Sequence, residues 1–297
     1  MRAKRLLVGL FGALMCAGTS AVAEPLPQRW VSAGGSLSEW VVALGGESKL
    51  VGVDTTSLHP DSLNSLPKIG YQRQLAAEGI LALRPDVLLG TEEMGPPPVL
   101  QQLRAAGVRI ETLPARADVQ TVQANLQRIG ALLGEPQQAE RVAADFQRRL
   151  EQQATWVSKA QQGQKAPGVL LLIGRAGASL MVAGQDTSGD WMVRQAGGRN
   201  LATHKGYKTL STEALTALNP DVVVMADRSL ADEAARAALI RQNPGLAATR
   251  AVHDGRLISL DPTLLVGGLG PRIPDGLALL SAAFYPSAQP LISEGRP

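Results

Sequence analysis

Tyr71 and Arg73 stand two residues apart in Pro67-Lys68-Ile69-Gly70-Tyr71-Gln72-Arg73, between a turn-rich stretch (59–67) and a helical run that stops before Pro85. Aromatic residues make up only 3% of the chain, so the setting of each tyrosine is informative. A tyrosine has a pKa near 10 and is normally a neutral phenol. A neighbouring cation, or a hard ferric ion, favours the phenolate, and phenolate is an axial ligand of haem iron in catalases. In an extended loop, residues i and i+2 point the same way. The Arg73 guanidinium is therefore expected beside the Tyr71 phenol. On spacing alone, the plainer reading is a surface tyrosine with its ring on the protein and its hydroxyl in water.

The elements that must position this loop are read from an internal repeat. Residues 78–89 (EGILALRPDVLL) and 213–224 (EALTALNPDVVV) match at a constant offset. In each, a short helix stops because the residue before proline avoids the helical region. A buried, β-branched strand follows, Val87 to Leu89 and Val222 to Val224. Leu44-Gly45-Gly46 and Ala196-Gly197-Gly198 match in the same order. Repeated helix–strand units predict an α/β protein of two Rossmann-like lobes with central, mostly parallel sheets. Between them, Val119 to Leu133 has helical apolar spacing. Gly134-Glu135-Pro136 then restarts a helix that runs without Gly or Pro from Gln137 to about Gln162, a rod about 39 Å long. The expected organisation is a lobe over 24–135, a connecting helix over 136–165 and a second lobe over 166–297. One packed helix resists bending, so lobe closure is expected to be limited, and a cleft between lobes is where a ligand belongs.

The repeat supplies further candidates. Tyr207, in Gly206-Tyr207-Lys208, is the counterpart of Tyr71. Arg228 follows the strand Val222 to Ala226 at its cleft-facing end. Glu92 and Asp227 are equivalent by the offset, with Glu93 beside the first. The three histidines, His59, His204 and His253, are scattered and read as surface residues, against a zinc or manganese receptor. Asp186 to Asp190 lacks the ligand spacing of a calcium loop and reads as a helix N-cap. There is no phosphate-binding GxxxxGK[ST], no Gly-x-Ser-x-Gly elbow and no triad.

Composition bounds the setting. The 297 residues are 45% hydrophobic and 19% charged, as in ordinary globular proteins. Arg2, Lys4 and Arg5 precede an apolar run, Leu6 to Ala17, and Ala21-Val22-Ala23 closes it. This reads as a secretory signal peptide cleaved after Ala23, too short to span a bilayer. Without those three cations the 29 basic residues fall level with the 26 acidic ones. Basicity therefore gives no support for a nucleic-acid partner. The single cysteine, Cys16, lies in the leader. Leu14-Met15 before it argue against lipidation, and an exported, periplasmic protein without disulfides or thiolate metal sites is expected.

Several segments together resemble the substrate-binding proteins of bacterial ABC importers with a single connecting helix, and within them the haem-binding group of HmuT-, ShuT- and PhuT-like proteins. These are Gly34-Gly35 followed by Glu39, Leu44-Gly45-Gly46, the Leu66 to Arg73 loop, Glu78-Gly79-Ile80-Leu81 with Arg84-Pro85-Asp86, Ala196 to Asn200, Gly206-Tyr207-Lys208 and Gly270-Pro271-Arg272. The Gly-Tyr-x-Arg loop is the haem-specific element; the Pro-Asp-strand units belong to the whole importer class. The resemblance implies ferric haem b in the cleft, five-coordinate, with Tyr71 as axial ligand and Arg73 steadying the phenolate. Arg228 would bond the phenolate from the opposite lobe, pair with a propionate, or stay a solvated charge. Tyr207 would pack, touch the haem edge, or supply a second ligand. The implied partners are an inner-membrane permease with its ATPase, docked through Glu92 or Glu93 and Asp227, and an outer-membrane haem receptor upstream. A monomeric binding protein rather than an enzyme is expected. The rivals are a siderophore or cobalamin receptor of the same fold, and a secreted haem-degrading enzyme.

Overall fold

In the first half, four short apolar runs become strands separated by helices: β1 (Trp30–Ala33), α1 (Gly35–Ala43), β2 (Leu50–Val53), α2 (Ala77–Ala82), β3 (Val87–Thr91), α3 (Pro97–Ala105) and β4 (Arg109–Leu113). Two helices follow, α4 (Val119–Leu133) and α5 (Pro136–Ala160). The second half runs β5 (Gly168–Ile173), β6 (Met181–Ala183), α6 (Ser188–Gln195), β7 (Arg199–Asn200), β8 (Tyr207–Thr209), α7 (Thr212–Leu218), β9 (Val222–Ala226), α8 (Glu233–Gln242), α9 (Pro244–Ala247), α10 (Arg250–His253), β10 (Leu257–Leu260) and α11 (Ile273–Phe284). This computed structural model describes residues 25–174, 180–227, 230 and 232–289. The leader with Cys16 and Ala23, and also Arg228, lie outside the described residues. No helix among the described residues is long and apolar enough to cross a membrane.

The first sheet is parallel in the order β2-β1-β3-β4. The second is ordered β10-β9-β5-β6-β8, with β7 also pairing β5. Its β10, β9, β5 and β7 pairings are parallel, and β6 and β8 form an antiparallel edge. Strands β1, β3 and β9 are buried along their whole length, as expected of strands covered on both faces by helices.

The repeat has a physical content that explains its residues. Arg84 and Asn219, each just before the proline, take positive φ of 49° and 40° and end their helices in the left-handed region. The aspartate after the proline then ties down the start of the neighbouring strand. Asp86 Oδ2 accepts from the Gln28 and Arg29 N–H groups at 2.8 Å, and Asp221 Oδ2 from Gly168 N–H at 2.7 Å.

Helix α4 covers the residues that the apolar spacing predicts, with Asp118 capping the Thr121 N–H and Gly134 at φ 82° ending it. Helix α5 has 25 residues and is about 38 Å long. It starts on Pro136 and ends at Ala160, short of the expected end near Gln162, because residues 161–164 form a turn. Phe146 packs edge-on against Trp40 of α1, centroids 5.3 Å apart, and the Gln153 amide bonds Ser281 Oγ of α11 at 2.6 Å.

The connecting helix is not the sole link between lobes. From α1, Ser36 Oγ lies 2.9 and 3.0 Å from the Val266 and Gly268 carbonyls, and Trp40 Nε1 donates to Leu269 O at 2.9 Å. Gly34 and Gly267 meet backbone to backbone, a side chain at 267 reaching Gly34 within 3.6 Å. Arg272 grips Glu39 through two bonds of 2.7 and 3.0 Å. His59, expected at the surface, instead sits in this seam, its Nε2 2.9 Å from Asp261 Oδ2.

Candidate functional site: a tyrosine-lined cleft

The Tyr71 loop is pinned to the first lobe by its backbone. Ile69 N–H donates to Val53 O, Thr55 N–H to Gly70 O, and Gly95 N–H to Gln72 O, all between 2.9 and 3.0 Å. Gly70 turns the chain with φ 90°, and Ile69 is buried. The Gln74 N–H then closes on Tyr71 O at 2.7 Å. The segment is thus a turn and not the extended loop expected from sequence, so the i, i+2 rule does not apply to it. Arg73 nevertheless feels the charge of Tyr71. Tyr71 is 38% exposed.

Arg73 donates through Nη2 to Glu93 Oε2 at 2.6 Å, from the segment that follows β3. That bond raises the guanidinium pKa, burial opposes it, and the charges of Glu93, Tyr71 and Tyr207 add to it. One cation therefore lies within electrostatic reach of two phenols, one on its own lobe and one on the other.

Tyr207 stands at the start of β8, whose register against β6 pairs it with Ala183. Reciprocal backbone bonds at 2.9 Å, Gly184 N–H to Gly206 O and Gly206 N–H to Gln185 O, hold that corner. Tyr207 is 36% exposed, and Thr187 and the Gly189 N–H at the start of α6 act on its hydroxyl. Burial raises the Tyr207 pKa. The bonds from Gly189 and Thr187 and the charge of Arg73 pull it down less, and Glu93 adds to the rise. Thr187 also caps α6, accepting from Asp190 N–H at 3.1 Å, as the N-cap reading of that stretch expects.

The structure thus brings Tyr71, Arg73, Glu93 and Tyr207 together. Glu92 is exposed just after β3, and Asp227 is half-buried just after β9, its carbonyl accepting from Ser259 Oγ at 2.8 Å. Sequence reasoning missed Glu93 as the partner of Arg73, and Thr187 and Gly189 as the surroundings of Tyr207. An exposed phenol on the first lobe, with the Arg73 guanidinium and a second aromatic ring within its electrostatic reach, suits a flat ligand carrying anionic groups.

A solved structure of a periplasmic heme-binding protein from Pseudomonas aeruginosa is 70% identical to this chain, covering 90% of it and 95% of that chain, with a TM-score of 0.87. The periplasmic heme-binding protein BhuT, solved in complex with two hemes, is 39% identical, covering 87% and 98%, with a TM-score of 0.79. The vitamin B12-binding protein of Pectobacterium carotovorum is 28% identical over 74% of this chain and 78% of its own length. The model of the periplasmic binding proteins matches residues 31–264. With two α/β lobes on one long helix and a cleft between them, the chain belongs to the periplasmic binding protein family.

Proposed function

We propose that this protein binds ferric haem in the cleft between its lobes and passes it to an inner-membrane ABC importer. The observation that carries the reading is the placing of Arg73 within reach of Tyr71 and Tyr207. Tyr71 serves as the axial ligand through its phenolate oxygen, an iron ligand that must lose a proton to bind. Arg73 favours the charged form. Tyr207, partly exposed beside Arg73's charge, touches the haem edge and leaves the sixth position open. Arg228 adds a donor from the second lobe. The chemistry is capture and release of haem b as cargo, and the protein is a carrier rather than an enzyme.

Delivery uses the carboxylates at the ends of two equivalent strands. Glu93 is engaged with Arg73, so Glu92 is the better docking group on the first lobe, matched by Asp227 on the second. A pseudo-twofold carrier meets a twofold permease in this way. The leader ending at Ala23 exports the chain to the periplasm, where it works as a monomer between an outer-membrane haem receptor and the permease with its ATPase.

A cobalamin reading is the alternative, favoured by the vitamin B12-binding relative. Cobalamin does not call for a protein phenolate, and that relative is 28% identical against 70% for the heme-binding structure. Titration with hemin and with cyanocobalamin separates the two. A saturable Soret change with a high-spin tyrosinate spectrum, lost in Tyr71→Ala, supports haem. Binding of cyanocobalamin without a hemin response overturns it.

A further inference from the structure

A cavity of about 770 Å³ opens where α1 and the 59–61 turn of the first lobe meet one face of α5 and the Pro271-Arg272 corner of the second lobe. Neither Tyr71, Arg73, Glu93 nor Tyr207 lines it. Its size falls in the range of small-molecule sites, about 300–1,000 Å³. The walls mix apolar side chains, Val42, Ala43, Pro60, Val142 and Pro271 over the nearly buried Trp40 and Phe146, with charged ones, and the Glu39–Arg272 pair is part of the lining.

Most of the charge around this cavity is already spent. Arg272 is bonded to Glu39 and to Asp261, Arg149 to Asp275 at 2.6 Å, and Asp145 to Arg148. Arg141 differs. Its Nε and Nη2 donate to the Gln138 amide oxygen at 3.1 and 2.7 Å, and it joins no ion pair among the described residues. A neutral partner thus orients the guanidinium while leaving its charge and the Nη1 donors unspent. Asp61, exposed in the same lining, disfavours a second negative charge on a ligand.

We propose that this cavity is a second binding site, for an amphipathic organic monocarboxylate. Its carboxylate pairs with Arg141, and its hydrocarbon part covers Val42, Ala43 and Val142. Such a ligand touches both lobes and the helix between them.

The test is calorimetric titration of the protein with decanoate, kept below its micelle concentration, and with decyltrimethylammonium, which has the same tail and the opposite head. Saturable one-to-one binding of decanoate is expected, with weaker binding of the cation. Arg141→Glu, an exposed helix position, should weaken decanoate about ten- to a hundredfold, the usual effect of losing a hydrogen bond to a charged group. Val142→Phe, which narrows the cavity, should weaken it too, and Tyr71→Ala should leave it unchanged. The absence of saturable binding, equal affinity in Arg141→Glu, or tighter binding of the cation would overturn the assignment. So would loss of binding in Tyr71→Ala, which would move the probe to the tyrosine cleft.

Discussion

Glu39 and Arg272 lie 233 residues apart in sequence and are joined by two side-chain bonds, from α1 of one lobe to the start of α11 of the other. Glu39 is 5% exposed, and burial holds its carboxyl above the ordinary range while Arg272 pulls it back down. Removing one partner of such a pair leaves an uncompensated buried charge. Arg272→Ala should therefore cost about 3–5 kcal/mol in urea unfolding.

The same pair predicts a pH dependence. A carboxyl whose folded pKa is raised contributes stability that is present at low pH and is lost as pH rises through the folded value. Without Arg272 the Glu39 pKa rises further, since the guanidinium was lowering it. The deficit of Arg272→Ala against wild type should be largest at neutral pH and shrink on acidification. A deficit that is constant with pH would show that Glu39 does not carry it.

Arg73 is shared between Glu93 and the phenols, which sets two variants against each other. Arg73→Ala should weaken haem about 10–100-fold, the size usual for groups that orient a metal ligand, and raise the pH at which haem is released. Lys at position 73 should recover part of this, keeping the charge but not the planar fork. Glu93→Gln frees the guanidinium for the phenolate and should lower the release pH. The Arg73–Glu93 pair is exposed, with side-chain accessibilities of 52% and 41%, so neither change should alter melting much. Absorbance titrations across pH decide the matter, and shifts in the same direction for both variants would rule it out.

Tyr207 and Tyr71 should part company in the same spectra. Tyr71→Ala should abolish the tyrosinate signature, whereas Tyr207→Phe should keep it with less than about a tenfold loss of affinity. In the apo protein, the raised Tyr207 pKa means stability present below the free-tyrosine value and lost as pH rises through the folded one. Tyr207→Phe should accordingly lessen the alkaline drop in melting temperature, and an unchanged drop would contradict it.

Charge reversal at Glu92 and Asp227 should lower stimulation of the importer ATPase and leave the hemin spectrum intact. A fall in haem affinity instead would place these carboxylates in the cleft.

Local signals were legible where local physics decides. The spacing of Val122, Leu126, Ile129 and Leu133 marked α4 to the residue, and the Pro-Asp repeat marked β3 and β9. Tyr71 and Arg73 were readable as a pair because both sit in one short loop. The bend of that loop was not, since it depends on the Gly95 N–H donating to Gln72 O and on Val53 O accepting from the Ile69 N–H. Glu93 could not be assigned to Arg73 because β3 and its following turn must first be folded. Glu39 and Arg272 were both noticed in segments that carry the family resemblance, yet their pairing is wholly tertiary. Strands β6 and β8 are only three residues each, too short for a period to show.

Helix α5 carries the backbone from one lobe to the other a single time, and it ends in the exposed turn at Gly163, Gln164 and Lys165. Each sheet is complete on its own side of that turn. A protease cut there would sever no strand pairing and no helix, and the two pieces would stay joined by the Glu39–Arg272 seam and the packing of α5 on α11. The chain is in this sense a pre-divided molecule. Expressed as two fragments broken at Gly163, it should reassemble into one particle that elutes as a single species on size exclusion and holds both sheets of the intact protein.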